Sequence, residues 1–420
     1  MKIPDEYLDW RTKGVWNPGP PVTLTEFAAA RHNLFGGAFT WPVMVARRTA
    51  IEHNVRTMAD YCERHGALFA PHGKTTMAPS LFQAQLDAGA WAITVATPNQ
   101  ALVCVQLGVP RIVLANEVVD PVALRWLAAQ PDTEILIYAD SVAAVQRLAE
   151  SGGRFQVLLE WGYPGGRAGC RTVADALAVA QAVHDAPNLD LVGISSFEGL
   201  MSDDDAVQSF LDSMVEATKA IAHLLPADPI VTAGGSAYFD LVTATFGGQW
   251  LEGRQIRLVL RSGAYISHDH GTYGHKTPFL RAPAEGALDA ALEVWAQVLA
   301  TPEPGLAILG MGKREAPYDD GLPVPLRVRR AGSNARAGRE DGESAGSGTA
   351  DGRVEAADGL EVLRLNDHHG HLSVRDEGAV AVGDLVCLGI SHPCTAFDKW
   401  SVIPVVEDDY TVTELLRTYF

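Results

Sequence analysis

No stretch of this sequence is apolar for long. None approaches the roughly 18 consecutive apolar residues that a membrane-spanning helix needs, and the segment from Met1 to Tyr7 lacks the apolar core of a secretory signal. We therefore expect a protein without membrane contacts, and the cytoplasm is its expected location.

Cysteine is scarce as well. Five cysteines are scattered over 420 residues, and their odd number and irregular spacing do not fit a disulfide framework. Four of them are expected to be buried thiols, namely Cys62, Cys104, Cys170 and Cys387. Cys394 belongs to a motif considered below.

Positive charge is outnumbered by negative charge. The chain has 33 Lys and Arg against 51 Asp and Glu, a net charge of −18, and no basic patch. This balance argues against a nucleic-acid partner. With 47% hydrophobic and 20% charged residues, the sequence can build a large core, and its length suggests two domains.

A dinucleotide-binding G-x-G-x-x-G motif is also missing after every predicted strand. The central part of the chain instead alternates short, continuously apolar runs with helical patterns, which is typical of a parallel sheet covered on both faces. Eight strands are predicted at 68–71, 92–96, 112–115, 135–138, 156–160, 191–195, 230–233 and 257–260. Helices are predicted near 77–89, 98–108, 121–130, 141–151, 173–186, 203–225 and 237–246. The pattern favours a (β/α)8 TIM-type barrel over a doubly wound sheet.

The remaining chain divides by composition. Residues 1–41 are irregular and are expected to form an arm that packs on a β domain. Residues 42–280 are assigned to the barrel, although the first strand, 42–46, precedes the eight and could belong with the β domain. Short β-prone runs in 281–420 predict a C-terminal β domain. The low-complexity segment 331–353 is predicted to be a disordered surface loop.

The most informative stretch runs from Ala70 to Thr76 and reads Ala-Pro-His-Gly-Lys-Thr-Thr. It follows the first of the eight strands, so Lys74 comes just after the C-terminal end of a strand, on the face where barrels carry their chemistry. A lysine amine there can condense with an aldehyde to form a Schiff base. The alternative is a solvated loop lysine, which the crowding by His72, Thr75 and Thr76 disfavours.

Three further loops follow strands on the same face. Gly234 to Ser236 opens a helix after the seventh strand, and its free N–H groups, glycines and hydroxyl predict a phosphate-binding turn. Arg261 to Tyr265 follows the eighth strand and adds a cation, a glycine and a phenol. Gly162 to Gly169 follows the fifth strand and carries Arg167, although a flexible loop is the alternative there.

His392-Pro-Cys394 is a candidate metal site in the β domain. An imidazole and a thiolate one residue apart can reach the same ion, and this ligand mixture suits zinc. Two protein ligands leave open positions, which is the catalytic pattern. The spacing alone is a weak signal, because such pairs also occur by chance.

The order of these motifs resembles that of one family. The motifs are a strand followed by P-H-x-K-T, then the Gly-Arg-Gly loop, G-G-S, R-S-G-x-Y and a late H-x-C. The sequence is similar to the fold-type III pyridoxal-phosphate enzymes, in the D-serine dehydratase and D-threonine aldolase branch, from about Pro42 to Trp400. The resemblance implies an alanine racemase-like barrel with a C-terminal β domain, and a homodimer.

The resemblance also assigns roles to residues. It makes Lys74 the lysine that forms the Schiff base with pyridoxal phosphate, and His392 and Cys394 the ligands of zinc, or of manganese or another divalent ion. Arg167 would contact the phenolic oxygen of the cofactor, and Arg261 would face its pyridine nitrogen. The implied cofactor-binding residues are Lys74, His72, Arg167, Gly234, Gly235, Ser236, Arg261, Gly263 and Tyr265.

The implied function is β-elimination of water from a D-β-hydroxy amino acid such as D-serine, which gives a 2-oxo acid and ammonia. The aldolase branch resembles this sequence but has a carboxylate where Cys394 stands, so Cys394 favours the dehydratase. Three alternatives stay open: retro-aldol cleavage to glycine and an aldehyde, racemisation with Tyr265 or His270 as a second base, and a pyridoxal-phosphate carrier without turnover.

Overall fold

The computed structural model describes residues 1–331 and 353–420. The loop predicted at 331–353 lies outside the described residues except for its two end positions. Within the described ranges, no helix has the length and apolar character to cross a membrane.

The chain begins with an arm that packs on the β domain. Its elements are β1 (Tyr7–Leu8), β2 (Val22–Thr23) and α1 (Leu24–Ala29), and β3 (Val43–Arg47) and α2 (Arg48–Arg64) follow. Leu8, Phe27 and Phe39 of the arm are buried in one apolar cluster with Trp295 and Val402 of the β domain. Apolar side chains of residues 1–41 thus share a cluster with strands of the C-terminal part of the chain.

Eight parallel strands form the sheet that the sequence predicts. They are β4 (Leu68–Phe69), β5 (Ile93–Val95), β6 (Arg111–Glu117), β7 (Glu134–Ala139), β8 (Phe155–Trp161), β9 (Leu189–Ser196), β10 (Ile230–Ala233) and β11 (Arg257–Leu260). The order is β4-β11-β10-β9-β8-β7-β6-β5. A parallel bridge between His72 and Thr94 joins the two edges, so the sheet curls into a barrel.

Helices surround this sheet as predicted. They are α3 (Pro79–Asp87), α4 (Pro98–Gln106), α5 (Pro121–Ala128), α6 (Val142–Glu150), α7 (Val173–Asp185), α8 (Asp204–Ile221) and α9 (Phe239–Phe246), followed by the short α10 (Thr272–Lys276) and α11 (Pro278–Arg281). Side-chain caps fix several of their starts: Thr97, Asp120, Ser141, Thr172 and Asp203 each accept a hydrogen bond from the first turn. These caps satisfy backbone N–H groups in the first turns of the five helices.

Among residues 281–331 and 353–420, the strands of the C-terminal domain pair antiparallel with one another, and β19 pairs parallel with β3. Its strands are β12 (Leu292–Glu303), β13 (Leu306–Leu309), β14 (Val324–Arg329), β15 (Val354–Ala356), β16 (Leu360–Leu365), β17 (Gly370–Val374), β18 (Leu385–Gly389), β19 (Val402–Val406) and β20 (Val412–Arg417). β3 pairs antiparallel with β12 and parallel with β19, so this early strand completes the C-terminal sheet.

Backbone hydrogen bonds bring one loop of the β domain onto the barrel. The N–H of His270 donates to the carbonyl of Ile390 at 3.0 Å, and the N–H of Thr272 donates to that of Ser391 at 2.9 Å. The loop that carries His392 and Cys394 is thereby held beside the segment that follows β11.

Candidate active site

A cavity of about 210 Å³ lies among loops that follow the barrel strands. Five of the residues singled out from the sequence line it: His72, Lys74, Arg167, Gly235 and Arg261. Its other lining residues are Ala96, Ala115, Asn116, Tyr138, Glu160, Ala168 and Phe197. Most of these follow or end parallel strands, whose C-terminal ends meet on one face of a barrel.

Lys74 is held in a single turn of 3-10 helix, Gly73–Thr75, between β4 and α3. Gly73 is required there because a Cβ would lie 2.8 Å from Phe82 and 2.9 Å from Ile93. Burial lowers the pKa of the Lys74 amine below its usual 10.5; the Cys394 thiolate opposes this shift, and the Arg167 and Arg261 cations add to it. The amine is therefore deprotonated more readily than that of a surface lysine.

His72 presents part of its ring to the same cavity. Its Nδ1 is buried and has no hydrogen-bond partner among the described residues. Burial, together with the neighbouring Lys74 and Arg261 cations, lowers the pKa of His72 well below 6.5. The imidazole is thus neutral and has a free polar atom next to the lysine.

The two predicted arginines have different environments. Arg167 is exposed, and its guanidinium carbon lies 4.4 Å from the centroid of the Phe197 ring. Arg261 is buried: its Nη1 donates to Thr232 Oγ1 at 2.7 Å, and its Nη2 donates to the Ser196 carbonyl at 2.6 Å. Arg261 is therefore fixed, whereas Arg167 has room to approach a ligand.

The predicted phosphate turn is close to the cavity, but only Gly235 lines it. Ser236 Oγ accepts a hydrogen bond from the Ala264 N–H at 3.1 Å, which ties this turn to the loop after β11. Tyr265 is buried, and its hydroxyl accepts from Gln85 Nε2 at 2.9 Å. Neither Tyr265 nor His270, the candidates for a second base, is among the lining residues.

The backbone at Gly263 lies close to His72 and Thr75, the residues on either side of the Gly73–Lys74 pair. A Cβ there would lie 2.7 Å from the His72 carbonyl oxygen and 2.8 Å from Thr75 Oγ1. The glycine lets the loop after β11 lie directly against the lysine turn.

Sequence reasoning missed a pair of carboxyl groups on the opposite side of the barrel. Glu117 ends β6 and Glu160 lies in β8. Burial, with the hydrogen bond and negative charge of Glu160, raises the pKa of Glu117 to about 9. The pair consequently holds a proton at neutral pH. The available sequence signal was a glutamate at or just after the end of two predicted strands, 112–115 and 156–160, which are separated by one further strand.

His392 and Cys394 come together beside the lysine turn. Cys394 Sγ lies 3.7 Å from Thr75 Oγ1, directly after Lys74 in the chain. A hydrogen bond with Cys394 raises the pKa of His392 to about 9, against the effect of burial and with help from Asp319. As expected, the other four cysteines are buried.

Asp319 was also missed. Its Oδ2 lies 2.8 Å from His392 Nδ1, and its Oδ1 accepts from Thr395 Oγ1 at 2.6 Å. In the neutral imidazole this contact favours the tautomer with the proton on Nδ1, in which Nε2 is the electron-pair donor. In residues 1–331 and 353–420, no three His, Cys, Asp or Glu side chains come close enough together to hold one ion.

Comparisons with known proteins agree with this architecture. Residues 47–247 match the model of the alanine racemase N-terminal domain, and residues 291–406 match the model described as "Putative serine dehydratase domain". The chain is 26% identical over 336 residues to 3-hydroxy-D-aspartate aldolase of Paracoccus denitrificans, an alignment that covers 78% of this chain and 82% of that protein.

Two solved structures share the fold. D-threonine aldolase from Filomicrobium marinum superposes with a TM-score of 0.73 at 22% identity, covering 91% of this chain and 95% of the other. D-threo-3-hydroxyaspartate dehydratase from Delftia sp. HT23 gives a TM-score of 0.67 at 22% identity, covering 90% and 97%. The chain therefore joins a domain of the alanine racemase N-terminal type to a domain of the serine dehydratase type, and it shares its fold with these two enzymes.

Proposed function

We propose that this chain is a pyridoxal-phosphate-dependent lyase that removes water from a D-β-hydroxy amino acid and yields a 2-oxo acid and ammonia. One observation carries the proposal: Cys394 Sγ is 3.7 Å from the hydroxyl of Thr75, the residue after Lys74. A lysine suited to bind an aldehyde and a thiol–imidazole pair suited to bind a metal ion therefore lie close to one another, although His392 and Cys394 do not line the cavity.

The side chains that line the cavity suit pyridoxal phosphate chemically. It offers an amine at Lys74, cations at Arg167 and Arg261, and the unpaired Nδ1 of His72. When bound, the cofactor supplies an electron sink that stabilises negative charge at the substrate Cα. We assign its aldehyde to Lys74, its phosphate to the neighbourhood of Ser236 and Gly263, and its ring to the space between His72 and the two arginines.

Lys74 is also the group best suited to move a proton. Its lowered pKa makes the free amine available at a lower pH than for a surface lysine, and Nζ can accept the α-proton of a substrate held beside it. Because Arg167 and Arg261 both face this space, they favour the substrate carboxylate and disfavour a second ammonium group. His72 stays neutral and does not compete for that proton.

We assign a divalent ion, with zinc as first choice, to His392 Nε2 and Cys394 Sγ. Such an ion supplies a Lewis acid that assists departure of a β-hydroxyl. Asp319 orients His392 for this role through the bond at Nδ1. With two protein ligands, positions remain for the hydroxyl and for water.

A second candidate is retro-aldol cleavage of the same class of substrate to glycine and an aldehyde. It is favoured by the names of two relatives, D-threonine aldolase and 3-hydroxy-D-aspartate aldolase. Cys394 favours the dehydratase, because the aldolase branch, which this chain otherwise resembles, has a carboxylate at the position of Cys394. Both reactions use Lys74 in the same way.

Product analysis separates the two reactions. The loaded protein is incubated with D-serine, D-threonine or 3-hydroxy-D-aspartate and zinc, and 2-oxo acid, ammonia, glycine and aldehyde are assayed. We expect 2-oxo acid and ammonia from a D-isomer and neither from its L-isomer. Lys74→Ala should abolish both products, whereas Lys219→Ala, an exposed lysine of α8, should not. Glycine with aldehyde would assign the chain to the aldolase reaction instead.

We also propose that the protein works as a homodimer in the cytoplasm, on the family resemblance. Light scattering on the eluting protein measures the mass directly. A mass of about twice the 45.0 kDa chain supports the dimer, and a mass equal to one chain contradicts it.

A further inference from the structure

A buried carboxylate occupies the turn that the sequence marks for phosphate. Glu198 follows β9, and its side chain is fully buried. Its Oε1 accepts from the Gly235 N–H at 2.6 Å, and its Oε2 accepts from the Gly234 N–H at 3.3 Å. The two donors that open the turn are thus already paired with an anion of the protein itself.

The geometry of the turn is built around this contact. Gly234 has a φ of +84°, which L side chains rarely adopt. A Cβ at Gly235 would lie 3.3 Å from Glu198 Oε1 and 3.1 Å from Phe197. Gly235 therefore leaves room for the carboxylate, whereas Gly234 provides the left-handed backbone of the turn and avoids a contact of 2.7 Å with Leu260.

A phosphate that took these two N–H groups would leave the Glu198 carboxylate buried and unpaired, which is strongly unfavourable. Other donors lie one step further along. The N–H groups of Ser236 and Gly263 donate no hydrogen bond within the described part of the chain. Ser236 Oγ, which accepts from Ala264, keeps its own proton for an acceptor.

We propose that Glu198 is a positioning residue that holds the Gly234–Gly235 turn and moves the phosphate contact to Ser236 and Gly263. The carboxylate acts as an internal substitute for the anion at the first two donors. It links the ends of the neighbouring strands β9 and β10. This inference rests on the proposed cofactor, but it concerns only where the phosphate is held.

The opposite relation would also be physically reasonable: Glu198 could compete with phosphate for the turn. The two relations predict opposite effects of removing the carboxylate. A positioning role means that phosphate recognition is lost, whereas competition means that it improves. A residue needed only for folding would affect ligands with and without phosphate alike.

The test compares pyridoxal phosphate with pyridoxal, which lacks the phosphate. Both are titrated into the full-length, cofactor-depleted protein, and Kd is read from the absorbance of the bound ligand. For Glu198→Ala we expect the preference for pyridoxal phosphate over pyridoxal to fall by about 10-fold or more. Glu198→Gln keeps one acceptor oxygen, so its preference for pyridoxal phosphate should lie between those of Glu198→Ala and the parent. Glu252→Ala, at an exposed glutamate, should leave the preference unchanged.

An unchanged preference, or tighter binding of pyridoxal phosphate by Glu198→Ala, would overturn the proposal. If the Glu198 variants do not fold, Ser236→Ala provides the test. We expect this variant to bind pyridoxal phosphate more weakly than the parent does and to bind pyridoxal equally well. Equal affinities of the parent and Ser236→Ala for pyridoxal phosphate would contradict the shifted contact. Failure of the parent protein to bind either ligand would instead count against the proposed function.

Discussion

Glu117 shows how strongly the fold controls a single side chain. Its carboxyl group would ionise near 4.5 in an unfolded chain, but in the barrel burial and Glu160 raise its pKa to about 9. Because the Glu160 carboxyl influences this titration, the apparent pKa belongs to the interacting pair. The folded protein therefore holds a proton that the unfolded chain has lost over most of the neutral range.

This difference makes stability depend on pH with a definite sign. Below about pH 4.5, both states are protonated and the group contributes fully. As pH rises toward 9, the unfolded state gains by ionising first, so the free energy of unfolding falls. Glu117→Gln has no carboxyl group to ionise, so its free energy of unfolding should not fall in this way as the pH rises. We expect the Tm of Glu117→Gln minus the Tm of the parent to increase by at least about 2 °C between pH 5 and pH 9.

Thermal unfolding followed by circular dichroism across that pH range measures the effect. Glu150→Gln, at an exposed end of α6, is the matched control and should follow the parent at every pH. A parallel course for Glu117→Gln and the parent would show that the pair does not retain the proton.

Some site residues could be found from sequence and others could not. Lys74, His72, Arg167 and Arg261 follow strand ends, so a correct barrel assignment places them on one face, and they line the cavity. Glu198 was not found. Its role depends on the turn after a neighbouring strand, 36 residues away for its contact with Gly234, and no local pattern encodes that distance in space.

The segments around the candidate metal pair act as one unit. Asp319 lies between β13 and β14, yet it holds both His392 and Thr395 in the loop after β18. Hydrogen bonds from Thr395 and His392 keep the pKa of Asp319 below its usual value, although partial burial alone would raise it. The carboxylate stays charged and fixes the orientation of the imidazole.

We expect Asp319→Asn to weaken zinc binding by about 10- to 100-fold, because the imidazole loses its charged partner and its fixed orientation. Titration of the metal-free protein with zinc against a colorimetric chelator gives the affinity without reference to turnover. Asp367→Asn is the matched control, since Asp367 is an exposed carboxylate paired with Arg314. Equal zinc affinities for Asp319→Asn and the parent would contradict the positioning role.

The helices and strands of the barrel were predictable because each is defined locally. Strands such as Ile230–Ala233 are continuous apolar runs, and helices such as α7 begin at a side-chain cap. In the C-terminal β domain, the sequence did not predict the strands β12, β14, β15 and β20. In β14, Pro325 argues against a strand, but the pairing with β18 accommodates it at a register shift. These strands are stabilised by pairing with strands distant in sequence, which a local sequence pattern does not reveal.

A network of charged and polar side chains around Glu293 connects several strands of the C-terminal sheet. Glu293 of β12 accepts from Arg327 of β14 and from the Tyr410 hydroxyl at 2.9 Å, and its Oε1 lies 3.5 Å from Arg47 of β3. Its side chain is only 6% exposed. Since β3 leads directly into the barrel through α2, this carboxylate couples the two parts of the chain.

We expect Glu293→Ala to lower the free energy of unfolding by about 3 kcal/mol, because it leaves two arginines and a phenol without their shared partner. Urea denaturation monitored by tryptophan fluorescence measures the change. Glu303→Ala, at the exposed end of the same strand, should cost less than about 0.5 kcal/mol. A similarly small cost for Glu293→Ala would show that the network does not stabilise the fold.

The central claim is that Lys74 is the point where this chain holds its cofactor. The most direct measurement is borohydride reduction of the protein loaded with pyridoxal phosphate, followed by protease digestion and mass spectrometry of the labelled peptides. We expect one stoichiometric label, on the peptide that contains Lys74, and none after Lys74→Ala. A label confined to other lysines, or no label in the parent protein, would contradict the claim.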